Sequence, residues 1–252
     1  MSRRILEVQS LSVSYGKTPA LRGLNLHVDQ GEVVCIVGQN GAGKSTTMNA
    51  VAGSLSGRRE SGSISLNGIP LQGKSPEAIA RLGISMVPEG RHVFPEMSVL
   101  ENLKVGTYMR PNRNRVAQEL DTIFQLFPRL YERRHSAAGN LSGGEQQMLV
   151  IGRAVLTDAK LLLIDEPSLG LAPRVTEDVY RALLKLRETK GLTLLINEQS
   201  TNRVLRYADR IYVLRGGEVR LTGTPDRLRD GDTIREAYFG LPGVSNPLDI
   251  EA

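Results

Sequence analysis

The segment Gly38-Gln39-Asn40-Gly41-Ala42-Gly43-Lys44-Ser45 constrains this chain more than any other stretch of it. It follows the unbroken apolar run Val33–Val37, which reads as a strand buried on both faces, and it opens a helix expected from Lys44 to Ala52. A glycine-rich turn in that setting lets backbone N–H groups converge on phosphate oxygens, and the helix N-terminus adds a favourable dipole. Every fixed position of G-x-x-x-x-G-K-[ST] is matched, so the pattern predicts a nucleoside triphosphate site. Lys44 is expected to reach the β- and γ-phosphates, with Thr46 beside them, and Ser45 to hold Mg²⁺. An ordinary glycine turn capped by Ser45 would not require all of these residues together.

The chain has 252 residues, 40% of them hydrophobic, and one cysteine, so it can bury a large core without disulfides or a structural metal. Collagen-like and disulfide-scaffold classes are excluded, as is wholesale disorder. The longest apolar runs are about five residues, against roughly 20 for a spanning helix, so no membrane crossing is expected. The N-terminus MSRRILEVQS lacks the apolar region of a signal peptide, and with the lone Cys35 this predicts a cytoplasmic location. The net charge of +5 comes with 25 scattered arginines and only 4% aromatic residues. A solvated basic surface, with anionic lipid headgroups as one candidate partner, therefore fits better than a nucleic-acid groove. His27, His92 and His135 lie far apart, without metal-ligand spacing.

Period-two alternation predicts strands through residues 5–37 and 63–69, the latter with an Asn67-Gly68 turn signal. Further strands are expected at 84–87, 161–164, 192–196 and 211–214, with a hairpin through Gly216-Gly217. Helices are expected from Ser75-Pro76-Glu77, after the capping box Ser98-x-x-Glu101, over Glu145–Leu156 and over Val175–Thr189. The fold class is α/β: a mixed sheet with an antiparallel β patch and an all-helical insertion. The expected division is a core of 1–88 and 157–240, a helical subdomain of 89–156, and a poorly ordered tail of 241–252.

At Leu161–Glu166 an apolar strand ends in two carboxylates. Asp165 would take Mg²⁺ through water, and Glu166 would polarise the water that attacks the γ-phosphate. Between the two phosphate-related motifs lies Leu141-Ser142-Gly143-Gly144-Glu145, which puts a serine and two glycines at a helix N-terminus. LSGGE, GQNGAGKS and LLLIDEP together resemble the motifs of the ABC-type ATPases, P-loop NTPases, and the similarity runs from about Leu6 to Tyr238. The resemblance implies a head-to-tail dimer, either of two copies or with a second, non-identical ATPase subunit. Each ATP would lie between one subunit's phosphate loop and the other's Ser142, Gly143 and Gly144. It also implies that Tyr15 stacks on adenine, although an inward-facing strand residue is an equal alternative.

Three departures from the family pattern are visible. Glu89 stands where the family carries Gln, Gln199 replaces the switch histidine, and Leu171 replaces an Asp. Glu89 is read either as a Mg²⁺ ligand with a part in catalysis or as an exposed loop carboxylate. Gln199 can donate an N–H to a γ-phosphate but cannot relay a proton as histidine does. With PEGRHVFPEMSVLENL and DEPSLGLAP, these spellings resemble an ATPase subunit of bacterial branched-chain amino-acid importers. Urea, short amides or other amino acids are alternative cargoes of the same type of importer. The resemblance implies membrane-spanning permease subunits as partners, a periplasmic binding protein acting indirectly, and a peripheral position on the inner face of the cell membrane. Arg91, His92, Val93, Phe94, Pro95 and Met97 are the docking candidates; local core packing is the equal alternative for the set and the preferred reading for Phe94. A soluble ABC-type ATPase acting on nucleic acid or ribosomes is the rival of a different class. Such proteins carry a coiled-coil insertion or two ATPase units, and this chain has neither.

Overall fold

The computed structural model describes residues 3–108, 110, 114–228 and 236–238. Its elements in chain order are β1 (Arg4–Tyr15), β2 (Thr18–Asp29), β3 (Val33–Val37), α1 (Lys44–Ala52), β4 (Arg58–Leu66), β5 (Ile69–Pro70), α2 (Pro76–Arg81) and β6 (Ile84–Val87). There follow α3 (Val99–Val105), α4 (Val116–Leu126), α5 (Pro128–Glu132), α6 (Gly143–Val155), β7 (Leu161–Asp165), α7 (Pro173–Lys190), β8 (Thr193–Glu198), α8 (Thr201–Tyr207), β9 (Arg210–Arg215) and β10 (Glu218–Gly223). The mixed α/β class expected from the sequence is what the chain adopts. The tail 241–252 lies outside the described residues.

Two compact units form, one from Met1–Ile79 with Thr193–Ala252, the other from Ala80–Leu192. In the first, β1 is flanked by β2 and β4 in an antiparallel sheet, with β5 at its edge. The alternation of β1 slips at Ser10, whose φ is +47°, and the register shift between Val8 and Leu11 lets both bury on the core side. The expected strand 63–69 is corrected here. The β4 strand begins at Arg58, and a turn with Asn67 and Gly68 at φ +49° and +79° sends Ile69 back as β5. The charged residues Arg58–Glu60 are exposed, which is why no alternation marks them.

Also in the first unit, β3 lies parallel between β8 and β9, with β10 antiparallel beyond β9. Every residue of β3 and β8 is buried; β3 is an unbroken apolar run, whereas β8 also buries Thr193, Asn197 and Glu198. In the second unit β6 and β7 pair in parallel, Ile84 opposite Leu161 through Val87 opposite Ile164. Helices α3 and α6 form where the sequence predicts helix, α4 and α5 lie between them, and residues 89–156 contain, among the described residues, no strand beyond the isolated bridge Ser98–Ala137. The capping box at Ser98 is formed. A second one at Ser142 starts α6 at Gly143, two residues earlier than the apolar pattern of Glu145–Leu156 indicates.

Candidate functional site

The phosphate loop is shaped by close packing in the first unit. A Cβ on Gly38 would stand 2.3 Å from the Leu214 carbonyl oxygen, so only glycine lets β9 approach there. Gly43 caps α1 with φ +103°, a conformation closed to other residues, and a Cβ on it would meet Leu21 Cδ2 at 2.6 Å. Lys44, only 5% exposed, donates from Nζ to the carbonyls of Gly38 at 2.8 Å and Gln39 at 3.3 Å. The turn between β9 and β10 supports the loop from below, since Gly217 N–H donates to Ala42 O at 3.1 Å. In the sequence Gly216-Gly217 reads only as a hairpin signal, and nothing in the spacing marks its contact with a loop so distant along the chain. Gln39, Asn40, Gly41 and Ser45 are exposed, Ala42 is buried and Thr46 is half-buried. Bare glycine backbone around a buried ammonium, at the start of a helix, is a cradle that the phosphates of a nucleoside triphosphate fit.

Gln199, just after β8, donates from Nε2 to Asn40 Oδ1 at 3.1 Å. The fold thus joins the residue at the switch position to the phosphate loop. Tyr15 ends β1 and is 38% exposed, so it does not face inward. A Cβ on Gly57 would lie 3.0 Å from the Tyr15 ring.

The second unit carries the remaining candidates. Asp165 is the last residue of β7 and is 4% exposed; Glu166 follows with φ +47°. A non-glycine residue in the left-handed region is costly and persists only where its surroundings hold it. Glu89 is exposed, two residues beyond β6. In the first unit Gly38 and Gln199, and in the second Glu89 and Glu166, each lie just past the carboxyl end of a parallel strand, the end at which open α/β sheets bind ligands. Among the described residues no group of three or more His, Cys, Asp or Glu could hold a metal by itself.

The Ser142 amide donates to Glu145 Oε2 at 2.8 Å, and the Ser142 hydroxyl accepts from the Glu145 amide at 3.4 Å. Burial alone would raise the Glu145 pKa, but hydrogen bonds from Ser142 and the charge of Arg133 hold its carboxyl below the usual range. The glycines after Ser142 are each overlaid by a neighbour: a Cβ on Gly143 would collide with the Arg91 guanidinium, and one on Gly144 with Val175 Cγ1 at 2.4 Å.

Among the docking candidates, Phe94 is 45% exposed, so it is not a core residue, and its ring lies 4.9 Å from the Arg153 guanidinium. Met97 and Val93 are half-buried, His92 and Pro95 exposed. Two residues that the motifs did not flag hold this loop. Asn102, fully buried, accepts from the Phe94 amide at 2.9 Å and donates to the carbonyls of Phe94, Met97 and Ser98. Arg153 donates to His92 O at 2.7 Å. An amide-bearing residue inside an apolar helix was the available signal for Asn102.

The family model described as ABC transporter matches residues 21–169. The chain is 42% identical to the high-affinity branched-chain amino acid transport ATP-binding protein BraG of Pseudomonas aeruginosa, over 94% of this chain and 100% of that protein. It is 34% identical to BraF of the same organism, over 95% and 99% of the two chains. The solved ADP conformation of MJ1267, an ATP-binding cassette of an ABC transporter, superposes with a TM-score of 0.82 at 29% identity, covering 95% of this chain and all of that one. The chain therefore belongs to the ABC transporter family, as one of its ATP-binding, ATPase subunits. Among the described residues no helix is long and apolar enough to cross a membrane.

Proposed function

We propose that this chain is the ATPase subunit that powers a bacterial importer of branched-chain amino acids. The reading is carried by the phosphate loop, with Lys44 buried against its own carbonyls and Gln199 bonded to Asn40. The names of BraG and BraF support the cargo. Lys44 and the Gly38–Gly43 backbone hold the phosphates, with Thr46 beside them, and Tyr15 stacks on adenine. Mg²⁺ is a hard cation that takes few protein ligands besides phosphate oxygens; when bound it neutralises charge on the transferring phosphate. The oxygens of Ser45 and Asp165, with Glu89 as a further carboxylate, have the donor chemistry to hold it. Glu166 takes the proton of the attacking water, and Gln199 orients through its neutral amide.

Ser142, Gly143 and Gly144 contact the ATP bound by a second ATPase subunit, a copy or a non-identical one. The helical segment 89–156 brings this signature and the docking loop together. Permease subunits dock on the exposed Phe94, near Met97 and Arg91, which places the chain peripherally on the inner membrane face. A periplasmic binding protein then acts through the permease. The test is uptake of radiolabelled leucine by proteoliposomes containing the purified complex. ATP-dependent uptake that disappears with Glu166→Gln is expected; uptake of urea or short amides in place of leucine would overturn the cargo.

A further inference from the structure

The loop between β6 and α3 contains three successive left-handed residues, Gly90, Arg91 and His92, at φ +92°, +69° and +43°. Two of them are not glycine, and such backbone persists only where its surroundings hold it. Here the His92 amide donates to Gly90 O at 2.8 Å, and Arg153 holds the His92 carbonyl. The turn aims the Arg91 side chain at the signature. A Cβ on Gly143 would stand 2.5 Å from Arg91 Nη1 and 2.7 Å from its Cζ; one on Gly170, four residues past Glu166, would be 3.5 Å from Nη2.

This is an odd place to hold a cation. Gly143 is the first residue of the 13-residue α6, whose N-terminus carries the positive end of the helix dipole and repels a guanidinium. Among the described residues Arg91 has neither a hydrogen bond nor an ion pair, so its five N–H donors are unspent. A free guanidinium and the unspent amides of a helix N-terminus side by side make sense around an anion, and a guanidinium matches phosphate oxygens in a planar, two-pronged fashion.

We infer that Arg91 is a phosphate-binding residue: its guanidinium joins Ser142, Gly143 and Gly144 on the terminal phosphate of the ATP held by the second subunit. The inference rests on the composite site proposed above. It also gives a reason for glycine at 143 separate from any amide contact, since a side chain there would expel Arg91 from its seat.

The test uses the intact transporter purified with this chain carrying Glu166→Gln and the second ATPase subunit carrying the same change at its matching glutamate, which slows hydrolysis at both sites so that bound ATP persists. Retention of radiolabelled ATP and of ADP, each with Mg²⁺, is measured after rapid gel filtration. Adding Arg91→Ala is expected to raise the half-saturating ATP concentration by about tenfold or more, the worth of a charge-assisted contact, with ADP unaffected. Arg91→Lys should recover part of the loss. Arg91→Met keeps the packing against Gly143 and removes the charge, so it should behave as the alanine variant. ATP retention unchanged in Arg91→Met, or equal losses for ATP and ADP, would overturn the inference and leave Arg91 a packing residue. If the Glu166→Gln parent itself retains no ATP, the composite site falls first and the role of Arg91 with it.

Discussion

At the scale of single residues, the proposed function divides the chemistry between Glu166 and Gln199. A carboxylate can take a proton from water, whereas a neutral amide can only orient and donate. Glu166→Gln is therefore expected to lower the rate of phosphate release by roughly 100-fold or more, and Gln199→Ala by about tenfold. Equal losses for the two would sink that division. His27 offers a second residue-level prediction, away from the nucleotide. Burial first, then the charges of Arg210 and Arg4, lower its pKa against the opposing pull of Asp29 and Glu32. The unfolded chain then binds the proton more readily, so stability is lost as pH falls through the ordinary imidazole range near about 6.5. Thermal melts between pH 5 and 7.5 should show a shallower fall for His27→Gln than for the parent.

At the scale of elements, the helical segment depends on a shielded ion cluster. Arg110, with its side chain 3% exposed, meets Glu119 of α4 at 2.6 Å, and Lys190 at the end of α7 meets the same carboxylate at 3.2 Å. Burial alone would raise the Glu119 pKa, but Arg110 and Lys190 hold it below the usual range. Removing Glu119 leaves the buried Arg110, among the described residues, with only the exposed Asp158 carboxylate at 3.6 Å as counter-charge, so the loss should approach about 3–5 kcal/mol, that of breaking a buried pair. Glu119→Ala should lower the denaturation midpoint in urea accordingly, while a loss under about 1 kcal/mol would mean that water already screens the cluster.

At the scale of the whole molecule, the signature and the phosphate loop of one chain serve different ATP molecules in the proposed dimer. Phosphate release per chain should therefore rise steeply with protein concentration, or on adding the second ATPase subunit, and level off once pairs form. A specific rate that is flat from nanomolar to micromolar chain would contradict a composite site.

Gly38–Ser45, Ser142–Glu145 and Leu161–Glu166 were legible in the sequence because their function depends on contiguous backbone: a loop, a helix start and a strand end. The solid runs of β3 and β7 were legible because burial on both faces leaves few polar positions. Contacts between segments far apart in the chain were not legible. Gln199 meeting Asn40, Gly217 bracing Ala42 and Arg91 lying on Gly143 depend on how strands and turns pack, which no local spacing encodes. The sequence by itself determined the family, the nucleotide and the residue types available for chemistry. Only the tertiary structure decided that Tyr15 and Phe94 face outward and that a guanidinium sits against the signature glycine, because exposure and neighbourhood are properties of packing rather than of periodicity.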